Sequence, residues 1–400
     1  MFSCVLPELM KRSAAEKRLA VFSSPEKLEA FKSNLLDWFE KNGRHGIPWK
    51  LKDDGHPPKN GELLNPYGIW IAEVMLQQTQ FKVALPYWER WMNIFPTLSD
   101  LAEASEQEVL LLWQGLGYYS RARRILQAAK QLLSVIGDHD HSDPSVWPSD
   151  LETWMSLPGI GRSTAGSIIS SAFDLPAVLL DGNFKRVFSR AFAISKPAAQ
   201  SLPELWEISE ELLDRKNPRQ FNQALMDLGA LVCKPQNPNC CNCPFKSFCI
   251  VYSSDQVKNF PVKVSGKTLP FENIGVGIVF NVSGQVLIDQ RLNTGLLGGL
   301  WEFPGGKQES EEEIEETIAR ELNEELAISV QVGECLLSFE HSYSHKKLRF
   351  VVHICKWLGG DPKPLQSQQI RWVQPHELID YPFPAANAKI ISALNHYLQK

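Results

Sequence analysis

The chain of 400 residues lacks several features that would restrict its location and partners. It has no apolar run long enough to cross a bilayer. Its first 25 residues carry basic side chains but no apolar core with a cleavage site, which a secretion signal requires. Basic and acidic residues nearly balance, at 41 and 46, so the sequence does not resemble a protein that coats nucleic acid non-specifically. We therefore expect an intracellular protein without a membrane partner.

Length and cysteine usage say more about organisation. A chain of this size normally forms two or three domains. Eight cysteines are present, and five of them lie within residues 233–249, four of these with the spacing Cys233-x6-Cys240-x2-Cys243-x5-Cys249. Four thiolates in so short a segment suit a tetrahedral zinc site or an iron–sulfur cluster, and the spacing alone does not choose between them. Cys241 is left without a role.

The stretch Leu157-Pro-Gly-Ile-Gly-Arg-Ser-Thr-Ala-Gly166 predicts two helices joined by a glycine hairpin. A helix that begins at Gly161 presents unpaired backbone N–H groups, which form a site for a phosphate. Glycine at 159 and 161 lets the phosphate approach without a Cβ in its way. The alternative is an ordinary helical turn without a ligand.

Two carboxylic acids lie in unusual surroundings. Glu73 sits in the middle of the mostly apolar segment 67–80, where loss of hydration would raise its pKa and suit it to general acid work. The alternative places Glu73 on a polar stripe, paired with a base. Asp181 directly follows the apolar residues 176–180, so its carboxylate is expected at the edge of a buried segment.

A second glycine turn, Gly115-Leu-Gly-Tyr-Tyr119, precedes Arg121, Arg123 and Arg124. An aromatic ring beside positive charge suits insertion into a base stack while arginines hold phosphates. The alternative is a pair of core tyrosines beside a solvated basic helix face.

The last third reads as a separate α+β domain. Residues 253–271 lack periodicity and are expected to be a linker. Residues 275–291 predict two strands around an Asn281–Gly284 turn, apolar runs at 335–339, 348–357 and 370–373 predict further strands, and residues 311–326 and 385–398 predict helices. Glu321, Glu324 and Glu325 would share one helical face and could hold Mg²⁺. The alternative is a solvated acidic helix.

These motifs occur in the order found in the endonuclease III superfamily of DNA repair glycosylases. The segment around Glu73 and the Gly115–Tyr119 turn are similar to MutY-type adenine DNA glycosylases in particular. The resemblance implies an all-α helix-hairpin-helix domain over 26–252, after an N-terminal extension 1–25 and before the linker 253–271. It also implies a Nudix-like domain over 272–400, which reads 8-oxoguanine.

The same resemblance assigns roles to residues. It implies a 4Fe–4S cluster on Cys233, Cys240, Cys243 and Cys249, in the loop 233–249. Glu73 would protonate the flipped adenine, and Asp181 would stabilise the cationic sugar. DNA contacts are expected at Gln78, Tyr118, Gly159, Gly161, Ser163 and Asn183.

Ser163 departs from the relatives that also cut the strand, which have a lysine nucleophile there, so little lyase activity is expected. In the C-terminal domain, Tyr343, Ser344 and His345 resemble the loop that reads 8-oxoguanine, with tyrosine in place of the usual phenylalanine. Gly306, Glu312 and the segment Arg320–Ile328 approach a full Nudix box, except that Ala327 replaces glycine. A second activity, hydrolysis of a damaged nucleoside triphosphate with Mg²⁺, is therefore conceivable.

The predicted function is a monomeric base-excision enzyme that acts on duplex DNA, removing adenine opposite 8-oxoguanine or guanine. If its source is bacterial, we expect it in the cytoplasm with the nucleoid. Three alternatives stay open: a glycosylase for damaged pyrimidines, a Nudix pyrophosphohydrolase with a DNA-binding helical domain, and a DNA-binding module without catalysis.

Overall fold

The structure, a computed structural model, describes residues 13–20, 22, 24–263, 269–295, 297–343 and 346–399. Contacts divide the chain into two compact units. The first unit contains Met1–Gln78, Thr97–Ser99 and Ala128–Ser265, and the second contains Thr79–Pro96, Asp100–Gln127 and Gly266–Lys400. The units are interleaved along the chain, so the consecutive domain boundaries expected from the sequence stay a prediction.

The first two-thirds of the described chain is helical. Its helices are α1 (Ala14–Leu19), α2 (Pro25–Asn42), α3 (Pro66–Met75), α4 (Phe81–Ile94), α5 (Leu98–Glu103), α6 (Glu106–Trp113), α7 (Ser120–Ile136), α8 (Leu151–Ser156), α9 (Arg162–Phe173), α10 (Gly182–Ala191), α11 (Leu202–Leu212), α12 (Pro218–Asp227) and α13 (Ile250–Ser253). Short 3₁₀ turns include Pro48–Lys50 and Cys240–Asn242, and Leu228–Val232 is a π-helical turn. None of the described helices has both the length and the apolar character needed to cross a membrane.

Phenylalanine and leucine side chains from α2, α10, α11 and α12 form a buried core in the first unit. Phe31 and Phe245 stack in this core with ring centroids 4.0 Å apart, which ties the cysteine loop 233–249 to α2. Helix α3 is buried at every position except Glu73. Burial of each large apolar side chain contributes about 1.5–3 kcal/mol, so this core fixes the helices that carry the predicted site.

The second unit contains a mixed sheet of seven strands: β1 (Phe271–Phe280), β2 (Val286–Arg291), β3 (Trp301–Glu302), β4 (Gly305–Lys307), β5 (Ser329–Ser342), β6 (Lys347–Gly359) and β7 (Ser367–Val373). The main strand order is β3-β2-β1-β6-β5, with β4 also paired to β1 and β7 to β2. Strands β1 and β6 are parallel, and the other pairs are antiparallel.

Two helices cover the sheet, α14 (Ile314–Leu326) on one face and α15 (Asn387–Leu398) on the other. Side chains alternate between the faces along β1: Ile278 joins the α15 side, and Val279 joins the α14 side. The Asn281–Gly284 turn joins β1 to β2, and Asn281 Oδ1 accepts hydrogen bonds from the Ser283 and Gln285 backbone N–H groups. The predicted α-helical part and α+β C-terminal part are confirmed.

Candidate glycosylase site

Glu73 lies near the C-terminal end of α3 and is half-buried, whereas the other residues of this helix are buried. Burial of the carboxyl in the surrounding apolar side chains raises its pKa to about 7. The Asp181 charge adds to this rise, while the Ser167 hydroxyl and the Lys50 ammonium oppose it. A carboxylic acid in this state holds a proton at neutral pH about half of the time, which is the state a general acid needs.

Asp181 caps the N-terminus of α10. Its Oδ1 accepts a hydrogen bond from the Phe184 N–H at 2.8 Å, and its Oδ2 accepts one from Asn183 Nδ2 at 2.9 Å. Burial raises the pKa of Asp181, while these hydrogen bonds and the Arg186 charge lower it. The first turn of α10 therefore holds the Asp181 carboxylate, whose charge helps to raise the pKa of Glu73, in a fixed orientation.

Asn183, which the sequence predicts as a DNA contact, holds two other groups. Besides its bond to Asp181, its Oδ1 accepts a hydrogen bond from Arg186 Nη2 at 2.7 Å. The amide thereby links the Asp181 carboxylate to the Arg186 guanidinium. This arrangement gives Asn183 an orienting role in the site.

The predicted hairpin is present between α8 and α9. Gly159 has a φ of +81°, which a residue with a side chain adopts only with strain. Gly161 is the N-cap of α9, and no side chain caps this helix end. A helix N-terminus without a side-chain cap is what the predicted anion site requires, and anion binding there stays a prediction.

Ser163 and Gln77 connect the hairpin to its surroundings. Ser163 Oγ accepts a hydrogen bond from the Leu180 N–H at 3.1 Å, next to Asp181. Gln77 Nε2 donates to the Gly159 carbonyl and to Thr164 Oγ1, so Gln77 ties the end of α3 to the hairpin. Gln78 is exposed and has a φ of +60°, which leaves its side chain accessible to DNA.

Sequence reasoning missed the basic side of this site. Lys50 is 9% exposed, and burial lowers its pKa while Asp227 and Glu73 oppose that change. Asp227 is fully buried and accepts bonds from Arg44 N at 2.6 Å and Arg44 Nε at 2.9 Å. No motif signals Lys50. Ser167 could have been found, because it lies one helical turn after Ser163 on α9.

The two tyrosines of the Gly115–Tyr119 turn lie in different surroundings. Tyr118 is 44% exposed with a φ of +48°, as a protruding wedge requires. Tyr119 is buried, and its hydroxyl donates to the Phe383 carbonyl at 3.2 Å. Arg121 is also buried, and its Nη2 donates to the Leu116 and Gly117 carbonyls. The expectation that Arg121 holds phosphates or lies on a solvated face is wrong, because its guanidinium supports the turn from inside.

The four predicted cluster cysteines line one apolar cavity between α10 and the loop after the π-helical turn. Burial, together with smaller contributions from the neighbouring cysteines, raises the pKa of Cys243 to about 12. Arg190 is buried beside them and donates to Cys233 Sγ at 3.3 Å and to the Lys234 carbonyl at 2.7 Å. Cys241 is exposed. Four thiols that line one apolar cavity beside a buried arginine supply the donor atoms that a thiolate cluster needs.

No group of three or more histidine, cysteine, aspartate and glutamate side chains is arranged to hold a metal ion in the part of the chain that the structure describes. The cluster assignment therefore stays a proposal. The same holds for Mg²⁺ in the C-terminal part.

Several predicted residues of the C-terminal part meet in one cleft of the second unit. Glu321 and Glu325 on α14 line it, together with Glu302 of β3 and Tyr343. Glu324 lies outside this lining, 51% exposed, with its carboxylate 3.2 Å from Arg320 Nη1. Glu312 accepts from Arg320 Nε at 2.6 Å, as the motif spacing implies. Ser344 and His345 lie outside the described residues.

Comparisons with known proteins agree with this arrangement. Residues 71–211 match the model of the HhH-GPD superfamily base excision DNA repair protein, and residues 275–393 match the NUDIX domain. The chain is 34% identical to the adenine DNA glycosylase of Mus musculus, over 98% of this chain and 82% of that protein. It is 33% identical to the human adenine DNA glycosylase, over 93% and 75% respectively.

A bacterial relative shows the same similarity. The adenine DNA glycosylase of Buchnera aphidicola subsp. Baizongia pistaciae is 34% identical over 68% of this chain and 73% of that protein. The identity and coverage of these relatives, together with the paired carboxylates and the hairpin, lead to one conclusion. The chain belongs to the adenine DNA glycosylase family.

Proposed function

We propose that the protein hydrolyses the N-glycosidic bond of adenine in duplex DNA, where adenine faces 8-oxoguanine or guanine. The observation that carries this proposal is the pair Glu73 and Asp181, two carboxyl groups in different surroundings, in which the Asp181 charge helps to raise the pKa of Glu73. Departure of a base needs a proton on the base and negative charge near the cationic sugar. Glu73 is suited to the first task and Asp181 to the second.

The reaction follows from the state of each residue. Protonated Glu73 donates its proton to the flipped adenine, and the electrons of the glycosidic bond leave with the base. The Asp181 carboxylate, held by the Phe184 N–H and Asn183, faces the oxocarbenium-like sugar. Water then adds to the sugar carbon, and ionised Glu73 can accept its proton. Adenine and an abasic site are the products.

A strand cut is not expected to accompany base removal. Ser163 has no amine with which to form a Schiff base, and its hydroxyl is bound to the Leu180 N–H. Lys50 is the buried amine near Glu73. The charge of Lys50 opposes the rise in the pKa of Glu73, so we assign the lysine an electrostatic role.

Duplex DNA is the proposed partner, with the open N-terminus of α9 as its phosphate site and Tyr118 as its wedge. A base must leave the stack before its glycosidic bond can be reached. The positive φ and exposure of Tyr118 suit insertion of its ring into the gap. Tyr343 is proposed to contact the base opposite adenine.

The cysteines are proposed to hold a 4Fe–4S cluster. Cys233, Cys240, Cys243 and Cys249 would supply the four thiolates, and the bound cluster would supply a rigid loop and, where potential allows, electron transfer. Arg190 links this loop to α10, the helix that Asp181 caps. Loss of the cluster is therefore expected to loosen the Asp181 carboxylate.

The proposal is tested by adenine release from a duplex with adenine opposite 8-oxoguanine, compared with the same duplex with thymine in place of adenine. Wild type is expected to release adenine, and the Glu73→Gln variant is not expected to release it at a comparable rate. Strand breaks are expected only after alkali. Well-folded, cluster-loaded protein that leaves adenine in place would overturn the substrate assignment, and breaks before alkali would overturn the monofunctional assignment.

A second candidate function is hydrolysis of a nucleoside triphosphate in the C-terminal part. The observation in its favour is that Glu302 joins Glu321 and Glu325 in one cleft, which the motif alone does not reveal. Release of pyrophosphate from dGTP or its 8-oxo form, with Mg²⁺ and without DNA, is the test. Release that Glu73→Gln retains and Glu325→Gln loses would support a separate hydrolytic site.

A further inference from the structure

The segment that leads from α9 to Asp181 is buried but belongs to no regular element. Residues 175–180 form neither helix nor strand, and among the described residues their backbone groups make no hydrogen bond to other backbone groups. Ala177, Leu179 and Leu180 are nevertheless buried. A buried backbone N–H or C=O group that stays unpaired costs free energy, so side chains are expected to bond this segment.

Two helices after the segment supply such side chains as donors. Asn222 Nδ2 of α12 donates to the Ala177 carbonyl at 2.9 Å, and Ser209 Oγ of α11 donates to the Leu179 carbonyl at 2.8 Å. Asn222 is 1% exposed and Ser209 is 3% exposed. Because water does not reach these donors, each bond is made in surroundings that strengthen it.

Helix α9, before the segment, contacts it at two further points. Ser163 Oγ accepts a hydrogen bond from the Leu180 N–H at 3.1 Å. A Cβ added at Gly166 would collide with the Val178 carbonyl oxygen, so the two backbones lie directly against each other there. A slip of the segment by one residue, about 3.3 Å in an extended chain, would break these contacts. The side chains of three helices therefore fix the register of the segment.

The position of Asp181 relative to Glu73 depends on this register. Ser167 of α9 lies one helical turn after Ser163 and close enough to Glu73 to lower its pKa. Helix α9 therefore contacts both the segment that ends at Asp181 and the surroundings of Glu73. The N-cap bonds of Asp181 fix its carboxylate only relative to α10. The bonds to residues 177–180 are what fix it relative to α9.

We propose that Ser209 is a positioning residue for Asp181, because its buried bond to the Leu179 carbonyl holds the carboxylate at its working distance from the cationic sugar. The proposal rests on the proposed function, in which Asp181 faces that cation. Ser209 acts two residues before Asp181, whereas Asn222 acts four residues before it. Ser163 is less suited to a test, because it also lies beside the proposed phosphate site.

The size of the effect follows from the attraction between the two charges. At an effective dielectric constant of about 20, an increase in their separation from about 4 to about 5 Å lowers the affinity for the cation about fourfold. The affinity for a neutral sugar does not depend on this distance. A positioning role for Ser209 therefore changes the preference for a cationic ligand over a neutral one.

The test uses two duplexes that differ only in one ring opposite 8-oxoguanine. The first carries a pyrrolidine ring, whose protonated nitrogen resembles the cationic sugar, and the second carries a neutral tetrahydrofuran ring. Binding to the full-length, cluster-loaded protein is measured by fluorescence anisotropy. Wild type is expected to bind the cationic duplex more tightly, as a site complementary to a cationic transition state does. Ser209→Ala is expected to lose about fourfold of this preference, with its Kd for the neutral duplex unchanged.

Three further variants complete the comparison. Ser189→Ala is the matched control, because Ser189 is a fully buried serine of α10 whose hydroxyl has no hydrogen-bond partner among the described residues. This control should keep the wild-type preference. Ser209→Cys is the second variant if Ser209→Ala melts at a lower temperature, since a thiol fills the space but donates weakly, and it should show a loss in the same direction. Asp181→Asn should abolish the preference.

The outcomes separate this proposal from the proposed function. A Ser209→Ala variant that loses equal affinity for both duplexes would show that the hydroxyl supports only the fold or DNA binding, and would overturn the positioning role. A preference that Asp181→Asn loses and both Ser209 variants retain would overturn the positioning role and leave the role of Asp181 intact. A wild type without the preference, or an Asp181→Asn variant that keeps it, would overturn the role of Asp181 and the positioning role with it.

Discussion

Replacing Ser167 by alanine is expected to keep adenine release fast at a higher pH than in wild type. Ser167 Oγ is buried, has no hydrogen-bond partner of ordinary length among the described residues, and lies close enough to Glu73 to lower its pKa. Removal of this hydroxyl leaves ionised Glu73 with less stabilisation. The pKa of Glu73 therefore rises further above about 7 in the variant.

The worth of one full hydrogen bond sets an upper limit on the change, because the contact of Ser167 with Glu73 is longer than an ordinary hydrogen bond. A contribution of about 1 kcal/mol corresponds to a change of about 0.7 in a pKa. With a wild-type pKa of about 7, roughly a tenth of Glu73 is protonated at pH 8, and at this limit roughly a third would be in the variant. Adenine release at pH 8 should therefore be faster than in wild type by a factor of up to about three to four. At pH 5.5 Glu73 is protonated in both, so the two rates should agree.

The assay is single-turnover adenine release, measured from pH 5.5 to 9. Single turnover is needed because product release would otherwise conceal the chemical step. Ser170→Ala is the matched control, since Ser170 is a buried serine on the same helix whose hydroxyl donates to the Ser167 carbonyl. Its profile should follow wild type. A Ser167→Ala profile whose high-pH limb stays in place, or moves to lower pH, would refute the role assigned to the Ser167 hydroxyl in lowering the pKa of Glu73.

Three further predictions concern stability and support of the site. Burial raises the pKa of Glu73 from 4.5 in the unfolded chain to about 7, so the free energy of unfolding falls as pH rises from 4.5 to 7. Glu73→Gln should remove this fall, which is worth up to about 3 kcal/mol above pH 7 when measured by urea unfolding. Ala327 ends α14 with a φ of +56°, so Ala327→Gly should stabilise by about 0.5–1 kcal/mol, and a lower melting temperature would contradict this. Arg121→Met should weaken duplex binding by loosening the turn that carries Tyr118, and unchanged affinity would show that the turn holds without it.

The local features with strong periodicity or special turn residues could be predicted from sequence. Glycine at 159 needs its left-handed φ, and the hairpin follows from it. The alternating strands and the α14 helix have patterns that few other structures share. Asp181 was predictable as a helix cap because Asp-Gly-Asn directly follows an apolar segment.

The partners of each side chain could not be predicted, because they come from distant parts of the chain. Arg121 follows a motif that suggests phosphate contact, but three-dimensional packing buries its guanidinium against backbone carbonyls. Asp227 and Arg44 are 183 positions apart and form a buried ion pair. No local sequence pattern can reveal a pair of residues that are so far apart in the chain. Glu302 joins the acidic cleft for the same reason.

The last prediction concerns Lys50, because replacing this lysine distinguishes burial from charge as the cause of the raised pKa of Glu73. Burial penalises the charged form of both groups, so it lowers the pKa of Lys50 while it raises that of Glu73. The Lys50 charge opposes the rise in the pKa of Glu73, so the lysine is not the cause of that rise. Lys50→Met should therefore move the high-pH limb of adenine release upward, as Ser167→Ala does, when single-turnover rates are compared under saturating duplex. A high-pH limb that moves to lower pH would mean that Lys50 supplies the proton, and that this neighbour, instead of the apolar surroundings, raises the pKa of Glu73.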